Sequence, residues 1–231
     1  MPKSDALREL VAKRRIPVSG TVADGYSLNY KKLGDFQRGA YDENDYVVPW
    51  SKSAFNLDAD TMVVGQDWAS AEFLRAKFDP VQKELGYTPR LAANRNLFFF
   101  LQTYFNCEFK DVYATDAFVF VKPGLMSSKL SFADIKKSVV DYLIPQINII
   151  GPRTVLCLGS STYNAVRVIQ GLPHTSIRDS FKMVPFVIGA ARIVGLPHTG
   201  GSGTAAVGGK AAAAKYWEKA ARLKDGPKAG S

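Results

Sequence analysis

Residues 131–172 read SFADIKKSVVDYLIPQINIIGPRTVLCLGSSTYNAVRVIQGL. The first part, 131–150, has apolar residues at helical spacing and begins with Ser131, a residue type that favours helix N-caps. The short uninterrupted apolar run TVLCLG (154–159) is typical of a buried strand. A second helical pattern (161–172) follows the strand directly. A strand between two helices favours a parallel α/β sheet.

Three further β-rich runs and two further helical patterns extend this alternation. The strands are TMVVG (61–65), VYATDAFVFV (112–121) and VPFVIGAARIVGL (184–196), the last being one long strand or two joined at Gly189. The helices are NRNLFFFLQTYF (94–105), which is apolar nearly all round and should be well buried, and KAAAAKYWEKAARL (210–223). This order predicts a three-layer α/β/α fold built on four parallel strands.

The length and charge of the chain indicate one domain with a polyanionic partner. A chain of 231 residues is long enough for one sizeable core, so we expect a single domain over residues 1–231. Residues 1–55 are less regular and should wrap the core, whereas 205–231 should form a basic helix and tail. The net charge of +9 favours nucleic acid as a partner, although a basic tail can also be merely solvated.

Apolar runs and cysteines indicate the compartment. No run approaches the roughly 18 apolar residues that span a membrane, and the N-terminal stretch MPKSDALRELVAKRRIP lacks the apolar core of a secretory signal. Cys107 and Cys157 lie among apolar or aromatic residues, which favours reduced, buried thiols over a disulfide framework or a metal site. We therefore expect an intracellular protein with no membrane partner.

The chain has two histidines, and each lies in a copy of GLPHT. In open parallel sheets, sites form beyond the carboxyl ends of the strands. His198 follows a predicted strand and should lie at this edge, together with GQDWAS (65–70), KPG (122–124) and GSST (159–162). His174 follows a helix and is better explained as a turn residue at the opposite edge. The glycine-rich stretch after His198 lacks the spacing of a phosphate-binding loop.

The order VVGQDWAS, TDAFVFVKPG, YLIPQINIIGPRTVLCLGSSTYNAV, VGLPHTGGSG resembles the uracil-DNA glycosylase superfamily from about residue 61 to 203. The most specific stretch, LIPQINIIGPRTVLCLG, is similar to the thermostable branch, whereas GQD is similar to the family-1 enzymes. The resemblance implies a central four-stranded parallel sheet. It also implies hydrolysis of the N-glycosidic bond of a damaged base that has been flipped out of DNA.

The resemblance implies roles for individual residues. Asp67 matches the aspartate that orients water and stabilises the sugar cation, and His198 matches the histidine that donates to the developing oxyanion on the base. Gln66 is expected at the wall of the base pocket. An aromatic ring, Phe78 or alternatively Phe73, is expected to stack on the flipped base. Residues expected to contact DNA are Gly200, Gly201 and Ser202 after His198, and Lys210 on the basic helix.

Several positions depart from the family pattern. Phe120 and Val139 occupy places where the thermostable branch has iron–sulfur cysteines, so we expect no cluster, no metal and no other cofactor. Trp68, Ala69 and Thr199 replace usual motif residues, and GGSG lacks an obvious leucine wedge. These departures predict a less selective pocket and a weaker base-flipping device.

Asp116 occupies the place of an asparagine that reads uracil in the family. An ionised carboxylate only accepts hydrogen bonds and would repel O4 of uracil. Three explanations stay open: burial keeps Asp116 protonated, Asn94 or Asn96 reads the base, or the substrate is hypoxanthine or another deaminated base.

We therefore expect a monomeric, monofunctional DNA glycosylase of base-excision repair that acts on DNA containing a deaminated or damaged base, most readily uracil. The alternatives are a catalytically silent DNA-binding relative and, with less support from the positive charge, an enzyme of free nucleotides.

Overall fold

The computed structural model describes residues 1–18, 20 and 24–224. The remaining residues, among them the end of the predicted basic tail at 225–231, lie outside this description. Five strands form one sheet: β1 (Thr61–Asp67), β2 (Tyr113–Phe118), β3 (Thr154–Leu158), β4 (Phe186–Ile188) and β5 (Ala191–Leu196). Their order across the sheet is β2-β1-β3-β5-β4.

The expected four-stranded sheet is corrected to five strands, because the last apolar run divides into β4 and β5. Gly189 between them has φ +57°, a left-handed conformation that suits glycine in a tight turn. A chain that reverses within two residues can only pair antiparallel, and β4 pairs antiparallel with β5. The other neighbouring strands all pair in parallel.

Ten α-helices accompany the sheet in the described part of the chain: α1 (Lys3–Arg14), α2 (Ala71–Arg75), α3 (Pro80–Leu85), α4 (Ala92–Phe100), α5 (Phe132–Ser138), α6 (Ile144–Ile150), α7 (Ser160–Ile169), α8 (Ile177–Ser180), α9 (Gly201–Ala205) and α10 (Lys210–Lys224). Helices α5 and α7 contact each other, and α10 packs on β5. The arrangement is an α/β fold compatible with three layers.

The predicted helix over 131–150 contains a wider turn than expected. A π-helical turn, Val139–Leu143, joins α5 to α6 just before Pro145. Proline has no N–H for the helical ladder and its ring crowds the preceding turn, so the widening fits its position. Ser131 does occupy the N-cap position of α5, but its side chain makes no capping hydrogen bond.

The N-terminal segment is tied to α5 through one buried carboxylate. Asp134 accepts hydrogen bonds from the backbone N–H of Ser27 at 2.8 Å and from the hydroxyl of Tyr30 at 2.6 Å. Asp134 itself is only 1% exposed. Because both donors precede the first strand, these bonds hold the irregular segment against the core.

The basic helix α10 is docked through an aromatic contact. Trp217 is fully buried, and its ring stacks on Phe100 of α4 with centroids 5.2 Å apart. The 94–105 helix, which we expected to be well buried, has Leu97, Phe100 and Leu101 in the core but leaves Phe99 48% exposed. No described helix is long and apolar enough to cross a membrane.

We expect Trp217→Ala to lower the free energy of unfolding by roughly 3–5 kcal/mol, because it leaves a cavity where the ring packs on α4. Urea unfolding followed by far-UV circular dichroism measures this loss. Lys215→Ala, on the exposed side of the same helix, is the control and should change stability by less than about 0.5 kcal/mol. Equal effects of the two variants would contradict the docking role of Trp217.

Candidate active site

A cleft of about 580 Å³ lies at the carboxyl ends of the parallel strands. It is lined by the end of β1 and by the segments that follow β2, β3 and β5. A volume of this size accommodates a small-molecule group such as a nucleobase. The cleft brings together Gln66, Asp67, Asn94, Asp116 and His198, which the sequence singled out, and Ser202 at its rim.

Asp67, the last residue of β1, is held in a buried ion pair. Its Oδ1 lies 2.9 Å from Nζ of Lys122, and both side chains are only 4% exposed. Gln66 donates from Nε2 to Oδ2 of Asp67 at 2.8 Å. Lys122 also donates to the carbonyl oxygen of Met126 at 2.6 Å. The Asp67 carboxylate is thus fixed in orientation by two side chains and part-neutralised by one of them.

Asp116 lies on the strand next to that of Asp67, and its carboxyl group has a very different environment. It pairs with Gly65 in the β1–β2 register and is 2% exposed. Its Oδ2 is buried and has no hydrogen-bond partner in the described part of the chain. Burial raises the pKa of Asp116 well above its usual value, the negative charge of Asp67 adds to the rise, and Lys122 opposes it. Burial and the neighbouring negative charge thus both favour the neutral carboxylic acid form of Asp116.

Gly65 makes room for this acid. A Cβ at position 65 would lie 2.3 Å from Oδ1 of Asp116 and 3.2 Å from the ring of Trp50. Any side chain here would therefore displace the carboxyl group. The glycine of the GQD stretch is a packing requirement of the site.

His198 follows β5, and its tautomer is set by its own loop. The backbone N–H of Gly200 donates to Nδ1 at 3.0 Å, so Nδ1 is unprotonated and the neutral ring carries its hydrogen on Nε2. The cleft walls limit hydration, which lowers the pKa of His198, and Lys122 lowers it further against the opposing charge of Asp67. The ring keeps one side open to solvent. It is a neutral hydrogen-bond donor at pH 7.

The turn that presents His198 is packed tightly. Asn96 donates from Nδ2 to the carbonyl oxygen of Thr199 at 2.8 Å. A Cβ at Gly203 would lie 2.2 Å from the carbonyl oxygen of His198. Asn96 is not among the cleft-lining residues, so it supports the His198 turn rather than facing a base.

Asn94 and the two aromatic candidates, Phe73 and Phe78, differ in whether they line the cleft. Asn94 lines the cleft and donates from Nδ2 to the carbonyl oxygen of Thr88 at 2.9 Å. Phe73, the second choice from sequence, also lines the cleft. Phe78 does not, because its ring turns away to pack 5.7 Å from Tyr41. The placement of Phe78 in the pocket is therefore corrected in favour of Phe73.

The predicted DNA-contacting stretch is more ordered than a loop. Gly201–Ala205 forms the short helix α9, with Gly200 at its N-cap position. Gly201 and Ser202 are exposed, and Gly200 is half-buried. Lys210 is exposed at the start of α10, where its Nζ lies 4.3 Å from the centroid of Phe99. His174 lies outside the cleft lining, exposed and packed against Phe132.

Several cleft residues were missed from sequence. Lys122 is the most important, and its only signal was its place in KPG after the second predicted strand. Trp50 and Tyr87 line the cleft from segments without regular periodicity, so nothing in their neighbourhood marked them. The positions of the family's iron–sulfur cysteines, Phe120 and Val139, are buried in the apolar core. Within residues 1–18, 20 and 24–224, no group of three or more His, Cys, Asp or Glu side chains could hold a metal ion.

Neither protein-family models nor curated proteins give a match to this chain.

We expect Asp116→Asn to become more stable than the wild type as pH rises from about 4 to 8. Above its unfolded pKa near 3.9 the unfolded carboxyl is ionised while the folded one keeps its proton, so wild-type stability falls with pH by up to about 1.4 kcal/mol per pH unit. The fall stops once pH exceeds the raised folded pKa. The Asp116→Asn variant has no ionisable group at this position, so its stability does not fall with pH for this reason.

Urea unfolding of both proteins at several pH values between 4 and 8 measures the difference. Asp60→Asn, a change at an exposed carboxylate, is the matched control and should give a curve parallel to the wild type. A difference between wild type and Asp116→Asn that does not vary with pH would show that Asp116 is ionised in the folded state.

Proposed function

We propose that the protein is a DNA glycosylase that hydrolyses the N-glycosidic bond of a deaminated base, most readily uracil. The observation that carries the proposal is the meeting of Asp67 and His198 in one cleft at the strand ends, with a neutral imidazole that presents Nε2–H. The likeness of the motifs to the uracil-DNA glycosylase superfamily supports the same reaction.

The bond to be broken determines what each group does. The C1′–N bond breaks with its electron pair moving to the base, so the sugar becomes cation-like and the base anion-like. Asp67 stabilises the sugar and accepts a proton from the water whose oxygen bonds to C1′. Nε2–H of His198 donates to the base oxygen on which negative charge develops. A neutral donor suits this role because it keeps its proton while the base leaves.

Base recognition is assigned to Asp116. As a carboxylic acid it donates from O–H and accepts at the other oxygen, which matches a base edge with an N–H beside a carbonyl. Uracil has this edge, and so does hypoxanthine. Phe73 is the aromatic ring available at the cleft to pack on the flipped base. The net charge of +9 supports DNA rather than a free base as the partner.

A second candidate, a catalytically silent DNA-binding protein, is favoured by the ion pair of Asp67. The ammonium of Lys122 at 2.9 Å offsets the negative charge that should stabilise the sugar cation. However, a carboxylate has several lone pairs, so the ion pair with Lys122 still leaves a position on Asp67 where a water molecule can bind. Base release by the purified protein decides between the two functions.

We expect the wild type to release uracil from synthetic DNA, and the Asp67→Asn and His198→Ala variants to lose about 10²–10⁴-fold and 10²–10³-fold in rate, respectively. Single- and double-stranded oligonucleotides with uracil, hypoxanthine or a T:G mismatch are incubated with protein, and abasic sites are then cleaved with alkali. Strand breaks are quantified under single-turnover conditions.

His174→Ala is the matched control, because it removes the same residue type from the other GLPHT copy outside the cleft. Its rate should equal that of the wild type. Binding to all oligonucleotides without release of any base would reject the enzyme and favour the silent DNA-binding protein.

A further inference from the structure

An exposed apolar pair lies at the mouth of the cleft, in the loop that follows β2. We call residues 123–128, PGLMSS, the rim loop. Leu125 is 62% exposed and Met126 is 42% exposed. Single exposed apolar residues are common, whereas two adjacent ones beside a binding cleft indicate contact with a partner. Met126 lines the cleft itself, with Leu125 next to it in the chain.

Hydrogen bonds give the rim loop a defined shape. Ser128 Oγ accepts from the N–H of Leu125, and the N–H of Ser128 donates to the carbonyl oxygen of Leu125, both at 2.9 Å. At its base, the N–H groups of Ala71 and Glu72 donate to the carbonyl oxygens of Lys122 and Gly124. The apolar side chains are therefore presented on an ordered turn anchored to α2.

The rim loop is also tied directly to the reacting centre. The carbonyl oxygen of Met126 accepts from Nζ of Lys122, which in turn pairs with Asp67. The position of the Met126 backbone thus depends on the same ammonium that orients the catalytic carboxylate. The rim loop is thus connected through Lys122 to the carboxylate of Asp67.

The charges near this mouth suit a polyanion. Lys129 at the end of the loop is exposed, as are Arg90 and Arg95 on either side of Leu91, another exposed apolar residue that lines the cleft. Glu72, whose backbone N–H holds the rim loop, pairs with Arg75 at 2.6 Å. Apolar side chains with cations beside them are the combination by which proteins insert into base steps while holding phosphates.

We propose that Leu125 and Met126 form the wedge that enters the base stack of duplex DNA and fills the space left by the flipped nucleotide. The proposal rests on the proposed function. GGSG (200–203) after His198 has no side chain larger than that of Ser202, and Thr199 and Thr204 on either side of it are buried, so the wedge comes from a different strand end. The substrate it serves is double-stranded DNA, because a single strand needs no wedge.

The test compares Leu125→Ala/Met126→Ala with the wild type on the same uracil oligonucleotide in single- and double-stranded form. We expect the double variant to lose about 10-fold to 100-fold in single-turnover rate on the duplex and to match the wild type on the single strand. The loss should be smaller for a U:G mismatch than for a U:A pair, because the mismatch flips more easily.

Val184→Ala, at an exposed apolar residue outside the cleft, is the control and should match the wild type on both substrates. Leu125→Ile/Met126→Leu, which keeps apolar bulk, should restore duplex activity. An equal loss on both substrates would overturn the proposal, as would no loss on the duplex.

A second readout does not depend on catalysis. A duplex carries 2-aminopurine beside an abasic site, and its fluorescence is titrated with each protein. We expect wild type and Val184→Ala to change the emission at saturation and the double variant to bind with a smaller change. If no protein releases a base but the double variant still gives a smaller change in emission, the proposed function is rejected while the wedge role of Leu125 and Met126 is supported. Identical emission changes for all proteins would overturn the wedge alone.

Discussion

The parallel pairing of β1 with β2 is the constraint on which the cleft depends. Its register places Gly65 beside Asp116 and Asp67 beside Phe118, so two carboxyl groups reach one edge of the sheet from neighbouring strands. Parallel strands end at the same edge, and β3 and β5 bring the start of α7 and the His198 turn there as well. A shift of one residue in this register would send Asp116 to the other face of the sheet.

The two neighbouring aspartates of the cleft have different surroundings. Asp67 is ion-paired with Lys122 and accepts a hydrogen bond from Gln66. Asp116 is 2% exposed and its Oδ2 has no hydrogen-bond partner among the described residues; its burial raises its pKa and favours the neutral form. This difference in environment is the basis for the separate roles proposed for the two aspartates, charge stabilisation by Asp67 and hydrogen-bond donation by Asp116. The same lysine links the pair to the rim loop, so charge and shape at the cleft are coupled.

Much of the fold can be predicted from the spacing of apolar residues along the sequence. The helix–strand–helix pattern over 131–172 is present in the structure with boundaries shifted by up to three residues. Residues 184–196 were ambiguous because one strand and a hairpin give the same apolar run, and the left-handed φ of Gly189 resolves it. The sequence did not show which of Phe78 and Phe73 faces the cleft, since apolar spacing does not give the direction of a ring: Phe73 lies in α2 and Phe78 lies just before α3. The direction of each ring depends on contacts with Tyr41 and with the cleft wall.

Periodicity in the sequence predicts the α/β class and the parallel strands, and it places Asp67 and His198 at strand ends, because strand and helix periodicities are local properties of the chain. Asp116 lies within β2 and was singled out only by the motif resemblance. The tertiary structure is needed to show that Lys122 pairs with Asp67, that Asn96 supports the His198 turn and that burial raises the pKa of Asp116. Burial and charge contacts arise between residues far apart in sequence, and they are absent until the sheet has formed. The exposed Leu125–Met126 tip belongs to the same group, because an apolar dipeptide becomes a surface feature only when its neighbours leave it uncovered.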